Sequence, residues 1–270
     1  MSIVDKELTT IAFCWRIERR DGVTLGFTSH DRDLDIDGLV YRSAPGILPS
    51  AIGLSAGFEV DRIDVKGALT ADAIRAADLA AGRWDGASVA IFLADWDDPS
   101  AAPIAIAAGE LGDVALRGSG FEAELRGDTA RLERPVVEQT SPECRARLGD
   151  RRCRVDMAGR VRLARIVALH GETGIEVDAG AGGDDFSYGR MRWLSGQNGG
   201  LDHMIARSDG PILTLRDPPH FAAAPGDLVE IAEGCDKSLS TCSLRFGNAA
   251  NFRGEPHLPG LDLLTRYAGG

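Results

Sequence analysis

Four cysteines constrain the fold of this chain more than any other feature. Cys144 and Cys153 stand in SPECRARLGDRRCRVDM, and Cys235 and Cys242 in EGCDKSLSTCSLRFGNAANFRGEPHLPG; the only other cysteine is Cys14. Two close pairs so far apart read as two halves of one site, so the C-terminal half must fold to bring them together. Free cysteines are common core residues, but these four sit in polar, turn-rich surroundings (PECRAR, DRRCRV, EGCDKS, STCSLR) that do not suit apolar burial. Cys14 lies in an alternating strand and reads as a structural thiol.

Compartment decides what such pairs do. MSIVDKELTT lacks the basic region and apolar core of a secretory signal. No apolar run reaches the roughly 18 residues of a membrane-spanning helix. The expectation is assembly in a reducing bacterial cytoplasm, where paired cysteines are more often metal ligands or redox groups than disulfides. The pairs enclose eight and six residues. Structural zinc favours tighter knuckles, whereas longer gaps suit a bulkier object such as an iron–sulfur cluster on four thiolates. From spacing alone, cluster and zinc stay level and two disulfides come third. Arg145, Arg147, Arg151, Arg152, Arg154 and Lys237 are expected to offset thiolate charge and lower the thiol pKa values. His220 and His257, near the second pair in sequence, read as loop or outer groups rather than ligands.

No catalytic residue is assigned. Cys235 with His257 is the one nucleophile–base candidate, and no helical pattern follows Cys235 to activate it. The chain has no phosphate loop, dinucleotide fingerprint, zinc-protease helix or Gly-x-Ser-x-Gly. His30 beside Asp31 reads as a turn-stabilising pair. Asp33, Asp35 and Asp37 before Gly38 imitate a calcium loop, but its twelfth position is Ala44 instead of a bidentate Glu; a hairpin through Asp37-Gly38 fits better. With 30 basic against 41 acidic residues and a net charge of −11, a general or sequence-specific grip on nucleic acid is not expected.

The patterning is mainly β. Ile11, Phe13, Trp15 and Ile17 alternate as a half-buried strand, and Asp21-Gly22 turns it into Val23–Phe27. Residues 58–67, 87–93, 104–108, 113–116 and 121–125 read as further strands. Thr70 is the expected N-cap of one Ala-rich helix ended by Gly82. Residues 1–135 thus form an N-terminal antiparallel β-domain with one short helix, with a linker or edge segment near 134–140. Residues 136–270 form a smaller β-barrel-like domain with strands at 161–169, 174–177, 191–194, 200–206, 212–215 and 228–232, stapled through the cysteines. The stretch FGNAANFRGEPHLPG reads as an ordered loop.

Several stretches resemble a family of phage-like tail hub (baseplate) proteins encoded among the tail-tip genes of prophages and gene transfer agents, that of the Rhodobacter gene transfer agent among them. They are FTSHDRDLDIDGLVY, AAGRWDGASVAIFLADW, GELGDV, AELRG, CRARLGDRRCRVDM and APGDLVEIAEGCDKSLSTCSLRFGNAANFRGEPHLPGLD. The C-terminal half is also similar to the C-terminal domain of the lambda-type minor tail protein L, which carries a [4Fe–4S] cluster on four cysteines in this order. The resemblance implies Cys144, Cys153, Cys235 and Cys242 as cluster ligands, in preference to zinc. It further implies a ring-forming N-terminal domain and a homotrimer at the tail tip of the released particle. That trimer would join the distal tail ring to a receptor-binding or fibre (host-specificity) protein, with a cell-wall peptidase docking nearby. An iron–sulfur redox enzyme and a zinc-stapled adaptor are the alternatives.

Overall fold

The computed structural model describes residues 10–43, 48–49, 62–68, 75–117, 120–127, 137–179 and 185–258. The chain divides into two units, Met1–Val136 and Val137–Gly270.

In the first unit, β1 (Ile11–Glu18) holds the middle of the sheet because both its faces carry apolar residues. Trp15 and Ile17 pack with Phe27, Leu79, Trp84, Val89 and Ile91 on one side. Ala12 and Cys14 pack with Leu34, Ile36, Tyr41 and Ala94 on the other. The strand is therefore buried on both faces over its first half, not half-buried as its alternation predicts. Around it lie β2 (Thr24–Thr28), β3 (Leu34–Ile36), β4 (Leu39–Ser43), β5 (Leu48–Pro49), β6 (Arg62–Ala68), β7 (Ser88–Asp95), β8 (Ile104–Arg117) and β9 (Gly120–Arg126). The nine strands run in the order β3-β4-β2-β1-β7-β8-β9-β6-β5. Pairing is antiparallel as expected, except that β4 runs parallel to β2. Gly26 allows this approach, since a Cβ there would lie 2.9 Å from the Tyr41 ring.

The helix α1 (Ala76–Ala80) presents Leu79 to the first core and ends before Gly82, at φ +70°. The Thr70 cap, residues 58–61 of the expected strand, the turn at 118–119 and residues 134–136 lie outside the described residues. The aspartate run forms the expected hairpin. Asp37 (φ +53°) and Gly38 (φ +78°) make its turn, the Asp35 carboxylate accepts the Gly38 N–H, and the Asp33 carboxylate accepts the Ser43 N–H. The His30 ring likewise accepts the Arg32 N–H at 3.1 Å. These groups shape turns.

The second unit is a closed barrel of β10 (Val161–His170), β11 (Gly174–Val177), β12 (Arg190–Trp193), β13 (Asp202–Asp209), β14 (Ile212–Leu215) and β15 (Leu228–Ala232), in the order β10-β11-β14-β13-β12-β15. Two bulged strands turn the corners. The first half of β10 pairs with β15 and, past a register shift at Ile166/Ala168, the second half pairs with β11. β13 divides itself between β12 and β14 in the same way. Inward positions are filled by Ile166, Ile175, Met191, Trp193, Ile205, Leu213, Val229 and Ile231, all at most 2% exposed. Each such side chain contributes about 1.5–3 kcal/mol of burial, which gives the barrel a core of its own.

Candidate functional site: a four-cysteine cluster beside the barrel

The first cysteine loop is built by Asp150. Its carboxylate accepts N–H bonds from Arg147 (2.9 Å), Arg152 (2.8 Å) and Cys153 (2.7 Å). Burial alone would raise this carboxyl, but the three N–H bonds outweigh it and hold the pKa below the usual range. The second loop repeats the device. The Asp236 carboxylate accepts the Ser238 N–H at 2.9 Å and the Thr241 hydroxyl at 2.8 Å, and here too hydrogen bonding overcomes burial to lower the pKa. The Ser238 hydroxyl then accepts the Thr241 N–H and caps α2 (Leu239–Leu244), which carries Cys242. This helix was not expected. The polar run DKSLST hides a cap, Ser238 with Thr241 three residues on.

Gly234 sets where the second loop leaves β15. A Cβ there would lie 2.1 Å from the Ser187 carbonyl and 2.2 Å from the Gly189 nitrogen, so only glycine passes. At the same end Glu233 receives Arg160 at 2.6 Å and Arg245 at 2.9 Å, which ties the start of β10 to the helix.

The segment after α2 closes the site. The chain leaves the helix at Gly247 (φ +58°) and folds back along the first loop. The Arg145 N–H bonds the Arg253 carbonyl at 3.1 Å, and the Glu255 N–H bonds the Ser141 carbonyl at 2.8 Å. The Arg145 guanidinium grips Glu255 through both oxygens, at 2.6 and 2.8 Å. This pairing and the Ser141 N–H pull the Glu255 carboxyl down to about 2. Gly254 lets the two backbones meet, since a Cβ would fall 2.6 Å from the Glu143 carbonyl.

The cysteines of the two pairs thereby become neighbours. The Cys144 N–H donates to the Lys237 carbonyl at 2.9 Å, the Asn248 N–H donates to the Cys242 carbonyl at 2.9 Å, and the Asn248 side-chain amide donates to the Cys153 carbonyl at 2.6 Å. Three of the sulfurs also accept an N–H: Cys144 from Arg253 (3.4 Å), Cys235 from Lys237 (3.4 Å) and Cys153 from Asn248 Nδ2 (3.6 Å). Burial raises the Cys242 thiol, and the charges of Cys144, Cys235 and Cys153 each raise it further, so one thiol feels the other three. Burial also raises Cys235, against the pull of Lys237. The expected lowering by basic residues is therefore corrected for these two. Arg145 and Arg152 are engaged with Glu138, and Arg145 with Glu255 as well.

All five cysteines are free thiols. Cys14 is fully buried in the N-terminal core and donates to the Thr28 hydroxyl. His220 belongs to the barrel, its ring 5.8 Å from that of His203, and His257 is exposed. Among the described residues, no three His, Cys, Asp or Glu side chains close around one point as a single bound ion would need.

The comparisons with known proteins fit this architecture. Residues 2–156 match the family described as "Baseplate hub protein, N-terminal attachment domain", a match that runs past Val136 through the first cysteine loop. Residues 184–262, which include Cys235, Cys242 and Asn248, match the family described as "Phage conserved hypothetical protein BR0599". The class is thus a structural protein of phage-type virions. A chain in the solved structure of the virion of a native gene transfer agent (GTA) particle is similar over nearly its whole length. The two are 37% identical with a TM-score of 0.83, and the alignment covers 99% of this chain and 95% of that one. No curated protein matches. This chain belongs to the baseplate hub protein family.

Proposed function

We propose that this chain is a hub of a siphophage-like tail tip, in a gene transfer agent or prophage particle. In this role it joins the distal tail ring to the receptor-binding or fibre protein as a homotrimer, with a structural [4Fe–4S] cluster stapling its second unit. The N-terminal unit serves as the ring-forming part and the barrel carries the staple. The observation that carries the cofactor reading is the convergence of Cys144, Cys153, Cys235 and Cys242, with N–H donors aimed at three of the sulfurs. Such donors stabilise thiolate charge and are a feature of iron–sulfur sites, where they tune the cluster. Among the described residues no three ligating side chains are gathered for a metal ion, so the reading rests on these donors and on the backbone bonds that join the two loops.

When bound, the group would supply four metal–thiolate bonds linking two distant segments, and so folding free energy. Four cysteine ligands leave no iron open to substrate, so the role is structural. The chain's own residues do the rest. Asp150 and Asp236 set the two loops, and the return segment from Gly247 to Glu255 holds them face to face.

The test is iron, sulfide and zinc analysis of protein purified without oxygen, followed by Cys→Ser substitution at the four positions and electron microscopy of the particles. About four irons and four sulfides per chain are expected, with tails lacking their tip in the variants. Stoichiometric zinc would keep the staple and refute the cluster. Metal-free protein that still assembles complete tails would refute both.

A further inference from the structure

We infer that Asn248 is the positioning residue of the four-cysteine site, the side chain that holds Cys153 against the second pair. This deepens the reading above, but its geometry stands whether or not a cofactor binds. Asn248 follows α2 and Gly247. Its backbone N–H is fixed on the Cys242 carbonyl at 2.9 Å. Its side-chain oxygen accepts Nδ2 of Asn251 at 2.7 Å, and the Cys153 carbonyl, which can only accept, requires the nitrogen on the other side. Nδ2 is thereby turned onto Cys153, where it reaches the carbonyl oxygen at 2.6 Å and the sulfur at 3.6 Å. One residue thus joins, through its backbone N–H and its side-chain amide, the backbone of Cys242 to both the backbone and the sulfur of Cys153.

The two cysteines of the first loop are held differently. Cys144 is tied by main chain, its N–H on Lys237 and its sulfur under the Arg253 N–H, with the Arg145–Glu255 grip beside it. A side-chain substitution cannot remove those main-chain bonds. The Cys153 N–H donates to the Asp150 carboxylate, within its loop; among the described residues, the hydrogen bonds reaching Cys153 from the second cysteine segment are both from Asn248. Cys144 is therefore an internal control for Cys153. Asn248→Asp is the sharpest change. It keeps the shape but replaces the donor with a carboxylate oxygen facing a carbonyl and a sulfur.

The experiment uses the full chain, purified without oxygen and treated with chelator, and follows iodoacetamide alkylation of each cysteine by peptide mass spectrometry. Rates are compared at the high-pH plateau, where both thiols are fully ionised and only access differs; there Asn248→Asp should speed alkylation of Cys153 by about tenfold, the free-energy scale of the two hydrogen bonds lost, while Cys144 stays within about twofold. Should Asn248→Asp not fold, Asn251→Ala releases the amide from its fixed orientation and should give a smaller change of the same sign. Unchanged Cys153, or Cys153 and Cys144 rising together, overturns the inference. Iron and sulfide content, measured in parallel, separates the two readings. Wild-type protein without iron that shows the alkylation contrast removes the cluster and keeps the clamp. Iron-loaded protein without the contrast does the reverse.

Discussion

Replacing His203 with phenylalanine should destabilise the barrel by about 1–2 kcal/mol, and the figure follows from one buried hydrogen bond. His203 is 7% exposed, and its Nδ1 lies 3.1 Å from the indole N–H of the fully buried Trp193. The indole can only donate, so Nδ1 is the acceptor and the ring proton sits on Nε2. His203→Phe orphans the buried indole N–H at about 1–3 kcal/mol, less the gain from a more apolar ring. For a unit of this size the melting temperature should fall by about 5 °C. Urea unfolding at pH 8 should show a lower midpoint with an unchanged slope.

The pH dependence provides a second reading of the same residue. Burial, and then the neighbouring His220, hold the His203 pKa below its ordinary 6.5, against the Pro218 hydrogen bond, Asp202 and Asp217. The unfolded ring therefore takes up a proton before the folded ring does. Its contribution is complete above pH 6.5 and is lost as pH falls toward the folded value. The difference in stability between wild type and His203→Phe should shrink over that window. A variant within about 0.5 kcal/mol of wild type at pH 8, the scale of a neutral surface change, would refute the hydrogen-bond assignment.

Other substitutions probe the remaining supports. Gly234→Ala should cost the second unit about 3 kcal/mol or more in urea unfolding, because its methyl meets backbone on two sides. Gly171→Ala, at φ +65° but with open space around it, should cost only about 1 kcal/mol. The Glu255 carboxyl lies below its ordinary 4.5, at about 2. The unfolded chain binds that proton first, so acid titration followed by circular dichroism should show stability falling between those two values, and Glu255→Gln should remove that part of the slope. Cys14→Ser buries a hydroxyl where a thiol packed, and should cost about 1–2 kcal/mol by thermal melting. It should leave the metal content of purified protein unchanged, unlike serine at any of the four clustered positions.

The strands were legible because period-two alternation survives in both units, and Ile166, Ile175, Met191 and Ile231 mark the inward rows of the barrel. The burial of Cys14 under β3 and β4 was not legible, because alternation cannot say whether a second layer covers the other face. The four thiols could be chosen by their polar settings. What assembles them, the Arg145–Glu255 grip and the Asn248 amide, joins residues about a hundred positions apart (145 to 255, 153 to 248), beyond any local pattern. The misjudged thiol pKa values share this cause. Arginines near cysteines in sequence are spent on Glu138 and Glu255 in space, and burial decides instead.

The barrel strands all lie between the two cysteine pairs in sequence, which orders events during synthesis. Cys153 leaves the ribosome some 80 residues ahead of Cys235 (235 − 153 = 82), a delay of about 4–16 s at ordinary elongation rates. The return segment that fixes the site is made later still. The strand that closes the barrel, β15, ends only three residues before Cys235, so the barrel closes as the second pair arrives, and until then the first two thiols stand without partners on an unfinished scaffold. An oxidant or a scavenging metal therefore has several seconds of access to Cys144 and Cys153 before Cys242 and Glu255 are made.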